Sequence, residues 1–235
     1  KVPKHLPKDA IIVAANGGST YFYLPSHNQQ LAHKVVRFLQ SRAEFGVIFV
    51  DQRYSTIKGA LSLASVKLEN SSHRNPDIIA GSTYSTSAMI NGFRGTEYNS
   101  DGSDRGMHGS FSPIDVHNTL IAYGPDFKKH IVDTYPTGNV DVAPTIAHIL
   151  HLSMPNTDGR ILFEALQGYK DCDSIQSKIL HSTVAKHLTI AQPYDLSGHN
   201  IQKNKHSYNS SLHITLVKQQ GKNFSYFDYA KASRY

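Results

Sequence analysis

Arg105–Leu162 reads RGMHGSFSPIDVHNTLIAYGPDFKKHIVDTYPTGNVDVAPTIAHILHLSMPNTDGRIL, and the rest of the chain is organised around it. It opens with a glycine-flanked histidine, Gly106-Met107-His108-Gly109. Little bulk surrounds that side chain, which leaves it free to be aimed from an irregular loop, as a metal ligand must be. Thr119 to Tyr123 is a short apolar run closed by Gly124-Pro125, a pair that cannot continue a ladder, and it predicts a strand. Val140 to Leu152 carries Val142, Ile146, Ile149 and Leu150 at helical spacing, with Asp141 at the N-cap and Pro144 in the first turn. Met154-Pro155 and Asp158-Gly159 then stop that helix.

Towards the N-terminus, Ala10–Ala15 (AIIVAA) is a continuous apolar run of the kind found in a strand buried on both faces. Asn16-Gly17-Gly18-Ser19 turns the chain, and Thr20 to Leu24 alternates as a second strand would. The turn lacks the glycine and lysine spacing of a phosphate-binding loop. Gln29–Arg42 predicts an amphipathic helix, and Gly46–Val50 (GVIFV) another buried strand. Asp51 and Arg53 follow at its carboxyl end, where open parallel sheets bind ligands, although a turn carboxylate paired with its neighbouring base is the commoner arrangement. Leu61–Leu68 reads as a short strand or packed segment, and Ile78–Gly81 as a strand. Thr83–Asp104 is a long Gly-, Ser-, Thr- and Asn-rich loop whose Asp101 and Asp104 precede His108. The whole predicts a mixed or mainly parallel sheet, with the loop Gly81–Asn118 over its carboxyl edge and the Asp141–Leu152 helix on one face.

Beyond Leu166 the composition changes. Residues 1–168 form the expected α/β domain and 169–235 an appendage, with a helix at KILHSTVAKHL (Lys178–Leu188) and a hairpin pairing Leu212–Val217 with Phe224–Tyr229. No internal repeat or low-complexity tract is present.

At 235 residues the chain is long enough to bury a core, and 39% hydrophobic residues suit a globular protein with no run of about 18 apolar residues to span a membrane. The net charge of +6 is scattered, without the basic stripe or interleaved aromatics of a nucleic-acid surface, so no nucleic-acid partner is expected. A single cysteine, Cys172, excludes an internal disulfide and a thiolate cluster, leaving zinc to histidine and carboxylate. No signal peptide is visible, and the sequons at Asn70, Asn209 and Asn223 bear only on a secreted eukaryotic chain. Compartment stays open, with a periplasmic or secreted location favoured over the cytoplasm. Of fourteen histidines, His148 and His151 share a helix face without a completing carboxylate, and His181 and His187 lie further apart. His108 is the one candidate ligand with a loop and glycine frame to suit the role.

The order His108-Gly109, Asp115, Asn118, LIAYGPDFK, NVDVAPTIAHIL, DGRIL resembles the C-terminal part of the alkaline phosphatase superfamily, in its type I phosphodiesterase and nucleotide pyrophosphatase-like branch. Covered strongly is Arg105–Leu166, more loosely Ala10–Gly95. The resemblance implies a three-layer α/β/α sandwich and hydrolysis of small-molecule phosphoric esters at two divalent metals, typically zinc. A Thr or Ser nucleophile attacks phosphorus there, and a late His-Gly supplies a ligand, mapped to His108. The first Asp ligand, the nucleophile turn and the middle Asp-His-Gly have no counterpart here, and Asn16-Gly17-Gly18 supplies neither carboxylate nor imidazole at the last of these. No catalytic residue is therefore assigned. The expectation is the C-terminal portion of a longer metal-dependent phosphodiesterase, pyrophosphatase or phosphatase, or alternatively an inactive remnant or binding module on the same scaffold.

Overall fold

The computed structural model describes residues 6–69, 74–98, 108–171, 173–184 and 207–234. The chain divides into two compact units, one of Lys1–His117, Leu180–Leu212 and Tyr229–Tyr235, the other of Asn118–Ile179 and His213–Asp228.

The first unit holds a five-stranded sheet built from β1 (Ile12–Ala15), β2 (Ser19–Tyr23), β3 (Phe45–Val50), β4 (Leu61–Ser62) and β5 (Ile78–Ser82), in the order β1-β2-β5-β3-β4. Only β3 and β4 pair in parallel, so the sheet is mixed and mainly antiparallel rather than mainly parallel. The reason lies in β5. Strands β2 and β3 run in the same direction across helix α1 (Gln29–Gln40), as a βαβ unit requires, but β5 inserts between them antiparallel to both. Strand β1 is an edge strand with an alternating pattern and Val13 exposed, which corrects the expectation of burial on both faces.

Helix α1 starts where Asn28 Oδ1 accepts from the Gln30 and Leu31 amides, at 2.8 and 3.1 Å. Its Ala32, Val35, Val36 and Leu39 pack on Phe22, Ile48, Val50, Ile78 and Ala80 of the sheet. Each large aliphatic side chain so buried contributes about 1.5–3 kcal/mol. On the opposite face Phe49 meets Phe111, with ring centroids 4.7 Å apart. Strands β8 (Ser174–Val184), β9 (Tyr208–Gln219) and β10 (Lys222–Arg234) form a sheet in the order β10-β9-β8. Within the first unit, β9 supplies Tyr208, fully buried, whose hydroxyl donates to the Gly46 carbonyl at 2.6 Å. The predicted helix at Lys178–Leu188 is therefore strand β8 as far as Val184, its remainder lying outside the described residues, while the predicted β9–β10 hairpin is present.

Part of the long loop after β5 is regular structure. Strands β6 (Tyr84–Ile90) and β7 (Phe93–Glu97) make a hairpin whose turn, Asn91-Gly92, has positive φ at both residues. Residues 99–107, with Asp101 and Asp104, fall outside the described residues.

In the second unit, helix α3 (Val142–Ile149) matches the predicted position but not the predicted orientation. Pro144, Thr145 and Ala147 are buried, whereas Val142, Ile146 and Leu150 of the apolar stripe are exposed. Asp141 stands at the N-cap of α3, as predicted, but its side chain makes no capping bond. Its carboxylate is buried and accepts instead from the Gly138 and Arg160 amides, both at 2.8 Å. The predicted strand Thr119–Tyr123 is irregular, with Ile121 85% and Tyr123 99% exposed and no ladder partner among the described residues. An apolar run forms a strand only where a neighbouring strand takes up its backbone groups, and none does so here. Among the described residues no helix is long and apolar enough to cross a membrane.

Candidate functional site

Two clusters of polar side chains sit at opposite ends of the strands of the five-stranded sheet. At one end, β1 stops at Ala15, the chain turns through Asn16, Gly17 and Gly18, and β2 begins at Ser19. His108 lies directly against this turn: the Gly18 amide donates to the His108 carbonyl at 2.9 Å, and the Gly18 carbonyl accepts from Ser82 at the end of β5 at 2.8 Å. Glycine is required on both sides of the contact. A Cβ on Gly18 would collide with the Ser110 Cβ, and one on Gly109, which has φ +81°, would collide with the Asn16 amide. The His-Gly loop and the Asn-Gly-Gly turn are thus packed backbone to backbone, and the His108 side chain is left exposed.

Around them, Asn16 Nδ2 donates to Ser19 Oγ and the Tyr21 hydroxyl, at 3.3 and 3.2 Å. Burial raises the Tyr21 phenol pKa, so the ring stays a neutral hydroxyl at physiological pH. The Ser110 amide donates to Asp115 Oδ2 at 2.9 Å and its hydroxyl to Glu97 Oε1 at 3.0 Å. Ser112 caps the short helix α2 (Pro113–Val116) through the Ile114 amide.

The other end of the strands gathers residues from four segments. Asp51 at the end of β3 holds Arg53 through Nε and Nη2, at 2.8 and 3.1 Å, the paired turn carboxylate that the sequence favoured. Hydrogen bonding by Arg53 is the main cause of a lowered Asp51 pKa. The centre of this end is Asp77, 2% exposed, which accepts from the Leu24 amide (2.7 Å), His27 Nδ1 (2.9 Å) and the Tyr54 hydroxyl (2.9 Å). Desolvation and Asp77 push the Tyr54 pKa strongly upward. A hollow of about 390 Å³ opens beside Asp51, Gln52, Arg53, Glu69 and Asn75. Sequence reasoning passed over Asp77 and His27. The available signal was a lone carboxylate directly before the buried strand Ile78–Ser82, where an unpaired charge would not be tolerated.

The remaining histidines have other surroundings. His148 Nε2 lies 2.9 Å from the Tyr169 hydroxyl, its ring edge-on to Phe163, beside a hollow of about 240 Å³ in the second unit. His181 is exposed on β8, and His187 and Cys172 lie outside the described residues. No three His, Cys, Asp or Glu side chains among the described residues are grouped to hold a metal ion. His108 offers one exposed imidazole, and the described residues give it no group of three ligating side chains, whereas tetrahedral zinc takes four ligands.

These features define a mixed α/β protein with a histidine loop locked to a glycine turn at one end of the sheet's strands. No protein-family model matches the chain, and neither does any curated protein or solved structure.

Proposed function

We propose that this chain supplies the C-terminal portion of a metal-dependent phosphoric ester hydrolase of the alkaline phosphatase superfamily, in its phosphodiesterase and nucleotide pyrophosphatase-like branch. The complete domain is a three-layer α/β/α sandwich, and its substrate a small-molecule phosphoric ester. The observation that carries the reading is the Gly18–His108 backbone bond, which sets the His-Gly loop beside the small-residue turn that ends β1. His108 is one ligand of a divalent ion, zinc by preference, which in a complete two-metal site stabilises charge on the attacking and leaving oxygens. Asn16 and Tyr21 line the same end and offer an amide oxygen and a hydroxyl to substrate or solvent.

The exposed apolar surface supports the incomplete-domain reading. Ile121, Tyr123, Ile146 and Leu150 are each exposed, and a segment carrying the nucleophile and remaining ligands would cover apolar side chains of this kind. A second reading, an inactive remnant or binding module, draws on the missing three-ligand group among the described residues.

Zinc titration and hydrolysis of p-nitrophenyl phosphate and bis-p-nitrophenyl phosphate test the proposal, on the chain and on His108→Ala. The expected result is weak zinc binding that needs His108, without turnover. Metal-dependent turnover lost in the variant would show that a complete site already exists here. Zinc binding indifferent to His108 would favour the inactive scaffold, and coding sequence upstream of Lys1 that carries the missing motifs would exclude it.

A further inference from the structure

The turn Leu24-Pro25-Ser26-His27, between β2 and α1, closes through the His27 amide on the Leu24 carbonyl at 2.8 Å and leaves His27 at φ +47°, a backbone region uncommon for residues with a side chain. Buried Asp77 grips both ends of this turn, with Oδ2 on the Leu24 amide and Oδ1 on His27 Nδ1. The first of those bonds staples the turn by itself. The second has a chemical consequence. The carboxylate is an acceptor, already taking the Tyr54 proton on Oδ1, so the ring proton belongs on Nδ1 and the lone pair on Nε2. The imidazole is 50% exposed, and among the described residues Nε2 has no partner. Arg53 Nη2 lies 3.7 Å from the same Asp77 oxygen; with Nε and Nη2 on Asp51, its Nη1 stays unpaired among the described residues. Beside Arg53 lies the hollow of about 390 Å³, where two carboxylates, Asp51 and Glu69, face a single guanidinium. Glu69 is held there by the Gln52 amide at 2.9 Å. A lining with that balance favours a ligand carrying positive charge.

We propose that His27 is the general base of a second, metal-independent site, positioned by Asp77, which hydrolyses small esters bearing an ammonium group. The ammonium pairs with Glu69 in the hollow, and Arg53 Nη1 donates to the carbonyl oxygen as charge develops on it. Nε2 takes a proton from water while the water oxygen bonds to the acyl carbon. The ester C–O bond then breaks, and the proton passes from Nε2 to the departing alkoxide, leaving acid, alcohol and an unchanged ring. None of this depends on a metal at His108, at the far end of the strands.

Two measurements on the full chain test it. Diethyl pyrocarbonate acylates an unprotonated imidazole nitrogen, and peptide mass mapping reads its rate at each histidine. At about pH 8, His27 should react about tenfold faster than exposed His33 of α1. Asp77→Asn, whose amide donates to the ring and moves the proton to Nε2, should remove that advantage, which a mere staple for the turn would not confer. The second measurement follows acid release from alanine ethyl ester and ethyl propionate with EDTA present, each against its spontaneous rate. Acceleration should be about tenfold greater for the ester that carries the ammonium. His27→Gln should lower kcat about 100-fold, and Glu69→Gln should raise KM with kcat kept.

His27 acylated no faster than His33, turnover kept in His27→Gln, or no hydrolysis of either ester would overturn the proposal. Turnover abolished by EDTA would overturn it as well, by assigning the reaction to a metal. Equal acceleration of the two esters would overturn the ammonium as the recognised group, and full turnover in Asp77→Asn the positioning role. Should Asp77→Asn fold poorly, His27→Gln, changed at a half-exposed side chain, still decides.

Discussion

Arg160 and Glu164 are joined inside the second unit by two parallel bonds, Nη1 to Oε2 at 2.7 Å and Nη2 to Oε1 at 2.5 Å, with side-chain exposures of 0% and 2%. The other Arg160 donors go to the Tyr226 hydroxyl, Gln219 and the Pro136 carbonyl, at 2.8, 2.9 and 3.0 Å. Every N–H of the guanidinium is thus satisfied, which is the condition under which a buried ion pair is tolerated. Removing one partner leaves the other charge stranded. Glu164→Ala should destabilise the protein by about 3–5 kcal/mol, read as a lowered urea midpoint monitored by near-ultraviolet signals.

Arg234 presents the same problem with main-chain acceptors. Its guanidinium donates to the carbonyls of Gln40, Arg42 and Phe45, at 2.9, 2.8 and 2.6 Å, and lies over the Tyr208 ring. Burial depresses its pKa, against the nearby Glu44 carboxylate, which acts to raise it. These bonds tie the C-terminus of the chain to the end of α1 and the start of β3. Arg234→Ala frees three carbonyls and a ring face, and a loss of about 2–4 kcal/mol is expected in equilibrium unfolding.

Gly109→Ala would meet both positive φ and the Asn16 amide. Destabilisation of about 1–3 kcal/mol is expected, with lost protection at the Gly18 amide. Gly92→Ala has an equally positive φ but open space around it, so it carries the conformational cost alone, about 1 kcal/mol. The two variants compared by thermal unfolding separate backbone strain from the steric contact.

The Asp51–Arg53 pair gives a pH signature. The folded-state pKa of Asp51 lies below its ordinary value, so its stabilisation is present above about pH 4 and disappears as pH falls through the folded pKa. Asp51→Asn should cost under about 1 kcal/mol at pH 6, because Arg53 is 42% exposed, and the difference from wild type should be smaller at pH 3. Urea unfolding at the two pH values measures it.

The outward stripe on α3 is testable by charge. Ile146→Lys and Leu150→Glu should change stability by no more than about 0.5 kcal/mol, while lowering the fluorescence of a bound hydrophobic dye. A loss of several kcal/mol would show instead that this stripe is buried in solution.

Much of the first unit was legible in the sequence because its signals are local. Helix α1 has periodicity and a capping Asn28, and β3 and β5 are apolar runs; in the second unit the β9–β10 turn carries its own local signal, Gln220-Gly221. Strand order was not legible, since β5 reaches its place between β2 and β3 only through long-range pairing. Asn91-Gly92 was a readable hairpin signal submerged in a polar stretch that resembled a loop. For Thr119–Tyr123 and α3 the sequence states what these segments would bury, not whether anything is there to bury it. Of the candidate site, His108 was singled out by its glycine frame, whereas its contact with Gly18 joins positions ninety residues apart and leaves no periodic trace.

Strand β5 links the two ends of the sheet: the residue before it, Asp77, anchors the His27 and Tyr54 cluster, and its last residue, Ser82, donates to Gly18. Five extended residues span about 17 Å, beyond the roughly 7–10 Å within which substitutions usually feel one another. Changes at His27 and at His108 should therefore sum without a coupling energy. The strand then acts as an insulator, and either end of the sheet can be re-engineered while the other keeps its properties.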